Sequence, residues 1–123
     1  MTAKKLPVTP GGEVIVYESG SGEAHVDVRF EEETVRLTQL QMAEVFQTTS
    51  RNIQMHLRNV FFSKELESEA TTKDFLVVRS ESKRSIRSKI KHYNLDAIIS
   101  IGYRVNSKQA VHFHQWARWS ASS

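Results

Sequence analysis

The sequence predicts an α+β fold: a winged helix-turn-helix-like core with an N-terminal β-hairpin, a basic wing hairpin and two C-terminal helices. Three observations predict it. Residues Thr38–Leu57 read as two short helices separated by a tight polar turn. A cation-rich hairpin pattern follows at Arg79–Lys91. Strand-like runs precede the helix pair, and capped helical runs close the chain. The 123 residues fit one domain, and 39% hydrophobic with 25% charged residues is an ordinary globular balance.

Met1–Gly12 ends in Thr9-Pro10-Gly11-Gly12 and reads as a disordered lead-in. Glu13–Tyr17 is rich in β-branched residues and reads as a strand. Ser19–Gly22 is a turn. Ala24, Val26, Val28 and Phe30 alternate with His25, Asp27 and Arg29, which is the period of a half-buried strand. Glu31–Glu33 is a solvated turn, and Thr34–Leu37 is a third short strand.

Helices follow at about Gln39–Phe46 and Arg51–Phe61. Ala43 is small where a second helix must approach, and Met42, Phe46, Ile53 and Leu57 can meet between the two. Thr48, Thr49 and Ser50 offer capping oxygens. Gln47 and Thr48 stand where many helix-turn-helix units have glycine and a hydrophobe, so a residue with a Cβ must make the turn.

Ser63–Lys73 is polar and reads as a loop or a loose helical turn. Phe75–Val78 is a strand, Ser80–Lys83 a turn and Ser85–His92 its return strand. Asn94 caps a helix at about Leu95–Gly102, with Leu95, Ile98, Ile99 and Gly102 on one face and Gly102 near its C-terminal end. Ser107 caps a last helix through Ala110, Phe113 and Trp116, ending near Trp119, as though cut short. Residues 120–123 read as a disordered tail.

Charge is uneven. Residues 1–50 hold 4 Lys/Arg against 8 Asp/Glu, net −4, and residues 51–123 hold 13 against 6, net +7. The basic part begins at the second helix of the pair, which suits a polyanion on one side. The sequence has no cysteine, so disulfides and thiolate zinc sites are excluded. No apolar run approaches the ~20 residues that cross a bilayer. The start carries no secretory signal pattern, and a cytoplasmic setting is expected.

The candidate binding residues fall in two groups. On the second helix, Thr49, Ser50, Arg51, Asn52, Gln54, Met55 and Arg58 lie at or beside one exposed side. Asn and Gln pair with adenine edges, Arg with guanine, and capped helix N-termini suit phosphate. A merely solvated helix face is the alternative. On the hairpin, Lys83, Arg84, Arg87, Lys89 and Lys91 supply cations, and strand alternation puts Arg87, Lys89 and Lys91 on one face. Such a row tracks phosphates; edge-strand protection is the blander explanation. His112 and His114 lie about 200° apart on a helix and cannot share a metal, so they read as surface or partner-facing histidines. There is no glycine-rich phosphate loop, nucleophile elbow or paired-carboxylate motif. No enzyme activity, cofactor, metal or small-molecule substrate is expected.

One further pattern lies in Tyr93–Ala110, followed by Phe113 and Trp116-Ala117. With Glu-Val-Ile-Val-Tyr at 13–17, Val35–Gln39 and Met42–Phe46, it resembles the RhuM family, named for a virulence-associated member, over roughly Glu13–Trp119. It is also distantly similar to the Bro and KilA N-terminal domains of viruses and phages, which are DNA-binding. The resemblance implies one RhuM-like DNA-binding domain at 13–119, of bacterial and often mobile-element origin, in a family whose chains usually continue past the tryptophan helix. Gln47 replaces that family's usual glycine and Thr48 its usual valine. Two functions are therefore expected. The first is a regulator binding double-stranded DNA through Thr38–Phe61 and Arg79–Lys91, acting as a dimer or with a protein partner. The alternative is a protein-interaction module, such as an antitoxin or adaptor in a toxin–antitoxin or phage-defence system. Its contacts would come from the acidic N-terminal hairpin and the Trp116/Trp119 end.

Overall fold

The computed structural model describes residues 13–19, 22, 25–31 and 34–122. The predicted lead-in at 1–12 lies outside them. Among the described residues, five helices and two antiparallel sheets make a mixed α+β fold.

Strands β1 (Glu13–Glu18), β2 (His25–Glu31) and β3 (Thr34–Arg36) form the first sheet in the order β1-β2-β3. Ile15 pairs with Val28 and Tyr17 with Val26, so one face is apolar and buried. Helices α1 (Gln39–Phe46), α4 (Leu95–Val105) and α5 (Ser107–Ser122) contribute to the same core, with Met42, Phe46, Ile98, Ile101 and Phe113 fully buried. The second sheet is the hairpin of β4 (Thr72–Glu81) and β5 (Arg84–Tyr93). Among the described residues a backbone bridge links it to the end of the first, where Leu37 and Tyr93 exchange bonds of 3.1 and 2.7 Å.

Helix α1 has the predicted bounds because both ends are chemically marked. Thr38 Oγ1 accepts from Gln41 N at 3.1 Å and Gln41 Oε1 accepts from Thr38 N at 2.9 Å, a reciprocal capping box. At the other end Gln47 takes φ 55°, ψ 53°. Its N–H bonds Glu44 O, and the next N–H, of Thr48, bonds Ala43 O at 2.9 Å. This is a Schellman turn built without glycine. Helix α2 (Ser50–Phe62) ends the same way: Lys64 has φ 61°, and Glu65 N bonds Val60 O at 3.1 Å.

Several expectations need correction. Glu31 is not solvated: it ends β2 and pairs with Arg36 at 3.4 Å and Lys73 at 3.0 Å, its side chain 13% exposed. The polar stretch after α2 contains a single helical turn, α3 (Ser68–Thr71), and β4 begins at Thr72. The hairpin turn is only Ser82-Lys83, with Ser82 at φ 58°. Helix α5 continues through Ser122, where a tail was expected from residue 120, and Ser120 is buried.

Gly102 does not end α4. It lies inside the helix because a Cβ there would meet Phe46 Cζ at 2.5 Å and Ala110 Cβ at 3.0 Å. Asn106, not Ser107, makes the α4–α5 corner. Its N–H bonds Gly102 O, its carbonyl accepts from Ala110 N, and its Oδ1 accepts from Gln109 N at 3.3 Å. Its Nδ2 donates to Phe46 O at 3.0 Å, so the same side chain also satisfies a terminal carbonyl of α1.

Candidate nucleic-acid interface

Helix α2 is held by one edge and open on the other. Ile53, Leu57 and Val60 recur at helical spacing and are buried. That burial fixes the opposite side outward, where Arg51, Gln54, Met55, Arg58 and Asn59 are exposed. Thr49 Oγ1 accepts from Asn52 N at 3.1 Å and caps the helix. No acidic residue occurs anywhere in α2, so nothing in the helix offsets its two arginines or its positive N-terminal dipole.

Six of the seven residues expected on this side line one shallow concavity: Thr49, Arg51, Asn52, Gln54, Met55 and Arg58, joined by Asn59. Ser50 does not belong with them. Gln39 Nε2 donates to Ser50 Oγ at 2.8 Å and to Ser50 O at 3.1 Å, so Ser50 locks the start of α2 to α1. Asn52 is half-occupied: its Nδ2 donates to Thr48 Oγ1 at 2.9 Å, which braces the turn and leaves its Oδ1 outward-capable. Sequence reasoning missed the Gln39 clamp, whose partner is eleven residues away.

The hairpin adds the second group. The register sets Arg87 opposite Val78, Lys89 opposite Leu76 and Lys91 opposite Asp74. Arg87, Lys89 and Lys91 therefore share a face and are exposed, alternating with half-buried Ile86, Ser88 and Ile90. The same alternation puts Arg84 on the other face, apart from the row. Lys83 stands exposed in the turn. Asp74 lies across from Lys91 and dilutes the charge there.

Opposite the cations, Phe75 anchors the hairpin base. Its ring meets the Arg29 guanidinium at 4.6 Å, Lys73 Nζ at 5.5 Å and the His92 ring edge-on at 4.9 Å. Burial, reinforced by Arg29 and Arg36, holds the His92 imidazole below its ordinary range against an opposing bond to Ile90 O. The base of the row reaches α2: Lys91, Ile90 and Tyr93 border one cleft with Thr38, Gln39, Leu40 and Ser50. Behind α2, Glu65 accepts from Arg104 and from Ser100 Oγ at 3.2 Å, which ties the chain leaving α2 to α4. Arg104 first, with help from Ser100, holds that carboxyl below the usual carboxylate range.

Two expected surface groups are structural. His112 Nδ1 bonds the hydroxyl of fully buried Tyr17 at 2.6 Å. Burial pushes the Tyr17 phenol up to about 12, so it keeps its proton to donate. Trp116 packs edge-on against Tyr17 and is buried, which leaves Trp119, 48% exposed, as the open tryptophan. Among the described residues no group of three or more His, Asp or Glu could hold a metal ion. No helix among them is long and apolar enough to cross a membrane.

A family model described as Virulence protein RhuM family matches residues 70–122. Over those residues the chain is similar to the RhuM family. The RhuM match takes in the hairpin, α4 and α5, and is narrower than the resemblance, which begins at Glu13; α1 and α2 lie outside it. No curated protein and no solved structure matches the chain.

Proposed function

We propose that the chain is a double-stranded DNA-binding regulator with a winged helix-turn-helix-like core, acting in the cytoplasm. Helix α2 enters the major groove with Arg51, Asn52, Gln54 and Arg58 toward base edges, and the β4–β5 hairpin acts as the wing along the phosphates. The observation that carries this reading is the acid-free outer face of α2, where Arg51, Asn52, Gln54 and Arg58 line one concavity, in a chain whose hairpin also presents the Arg87–Lys89–Lys91 row on one exposed face. A polar helix face alone would be unremarkable. A polar face with bidentate donors together with a row of cations has the two parts that base reading and phosphate tracking require.

Fluorescence anisotropy against a pool of labelled duplexes tests it. Binding that weakens steeply with salt is expected, and no binding to any duplex at low ionic strength would sink the reading. A protein-interaction role is favoured by one observation, the exposure of Trp119 and Val111 on α5. A hetero-complex that survives high salt without nucleic acid would support it.

A further inference from the structure

We infer that Met55 reads the 5-methyl group of a thymine in the major groove and so determines sequence specificity. This rests on the DNA-binding reading of α2 and adds a residue role to it.

Met55 is 51% exposed, a large apolar side chain on a face otherwise built from Arg51, Gln54, Arg58 and Asn59. Spacings of four and three residues put Arg51, Met55 and Arg58 on one line along the helix, the line opposite buried Ile53, Leu57 and Val60. The core cannot reach Met55, so packing within the chain does not account for it. Its side chain is unbranched and polarisable and adapts to a small apolar partner.

Major-groove edges are hydrogen-bonding groups with one apolar exception, the thymine C5-methyl. A helix rises about 1.5 Å per residue, which places Met55 about 6 Å from Arg51 and about 4.5 Å from Arg58 along the axis. Base pairs step by about 3.4 Å. The apolar contact therefore falls one to two steps from each arginine, inside the same short site. Gln54 and Asn52 flank it with groups suited to adenine edges. The same methyl occurs on 5-methylcytosine, so the test must separate the two bases.

Duplexes enriched from a random pool by the full chain are remade with deoxyuridine at each thymine in turn, and binding is measured by anisotropy. One thymine is expected to lose about fourfold on losing its methyl, the effect of one methyl group's burial. Met55→Ala, with an unchanged circular dichroism spectrum, should bind the thymine and deoxyuridine duplexes alike. Equal binding of both duplexes by the wild-type chain at every position overturns the inference, as does a Met55→Ala variant that keeps the difference. Gain on methylating a cytosine, without any loss on deoxyuridine, also overturns it by moving the contact to 5-methylcytosine. If no duplex is enriched, the DNA-binding reading itself falls. If duplexes are enriched and none senses the methyl, only the role of Met55 falls.

Discussion

The corner where α1, α4 and α5 meet and the outer face of α2 use their polar groups in opposite ways. At the corner, the Asn106 N–H, carbonyl, Oδ1 and Nδ2 all have partners, and Gly102 is small because the Phe46 ring lies against it. On α2, the Arg51 and Arg58 side chains, Gln54 and Asn59 face outward, and the hairpin exposes three more cations on one face. Buried polar groups must be satisfied within the fold, whereas exposed donors gathered on one side can serve a partner. The distinction predicts that changes at the corner act on stability and changes on the outer face act on binding.

The largest effect is expected at the corner. Phe46→Ala removes a fully buried ring that contacts Phe113 and fills the space left by Gly102. Urea unfolding should show a loss of about 3–5 kcal/mol. If stability holds, the corner does not organise the helices.

Alkaline pH attacks the same region through Tyr17. Its phenol is raised from 10.0 to about 12 by burial, so the native state holds its proton where the unfolded chain releases it. That contribution is fully present below pH 10 and is lost as pH rises from 10 to 12. It is worth about 3 kcal/mol. Ultraviolet titration should find Tyr17 ionising late, together with unfolding, and Tyr93, which burial also raises, ionising above its ordinary range. A normal titration of all three tyrosines would refute the burial argument.

On the outer face, Gln54→Ala should weaken binding to an enriched duplex by about 1–3 kcal/mol if its amide pairs with a base edge. Its thermal midpoint should stay near wild type, because Gln54 is exposed and no core residue depends on it. A parallel fall in midpoint would mean that the face is structural.

The smallest effect concerns the turn between the two helices. Gln47 at φ 55° holds a conformation that costs an L-residue about 1–2 kcal/mol, part of which glycine gives back in unfolded-chain entropy. Gln47→Gly should therefore stabilise by up to about 1 kcal/mol in urea, with duplex affinity unchanged.

Legibility in the sequence followed the range of the interactions. The bounds of α1, the Asn94 cap and the single face of Arg87, Lys89 and Lys91 depend on neighbours within a few residues, and periodicity revealed them. The Thr38–Gln41 capping box is equally local, and its Thr-x-x-Gln spacing was there to be read. Asn106 could not be assigned in this way, because its partner Phe46 O is 60 residues distant. Nor could Glu31, whose pairing with Lys73 spans 42 residues and turns an apparent acidic turn into a clasp between the two sheets. His112 looked like a surface histidine until the Tyr17 hydroxyl, 95 residues away, came to lie against it. Six of the seven residues expected on α2 do share a concavity, since one helix face follows from spacing alone; Ser50 departs because Gln39 reaches across from α1.

The most direct test of the account is the salt dependence of duplex binding for the wild-type chain and an Arg87→Gln, Lys89→Gln, Lys91→Gln variant. Each phosphate contact contributes about 0.9 to the slope of log affinity against log salt. The variant is expected to bind every duplex more weakly, with a slope shallower by up to about 3 and an unchanged thermal midpoint. Equal slopes for the two proteins would contradict the assignment of the hairpin face to the phosphate backbone.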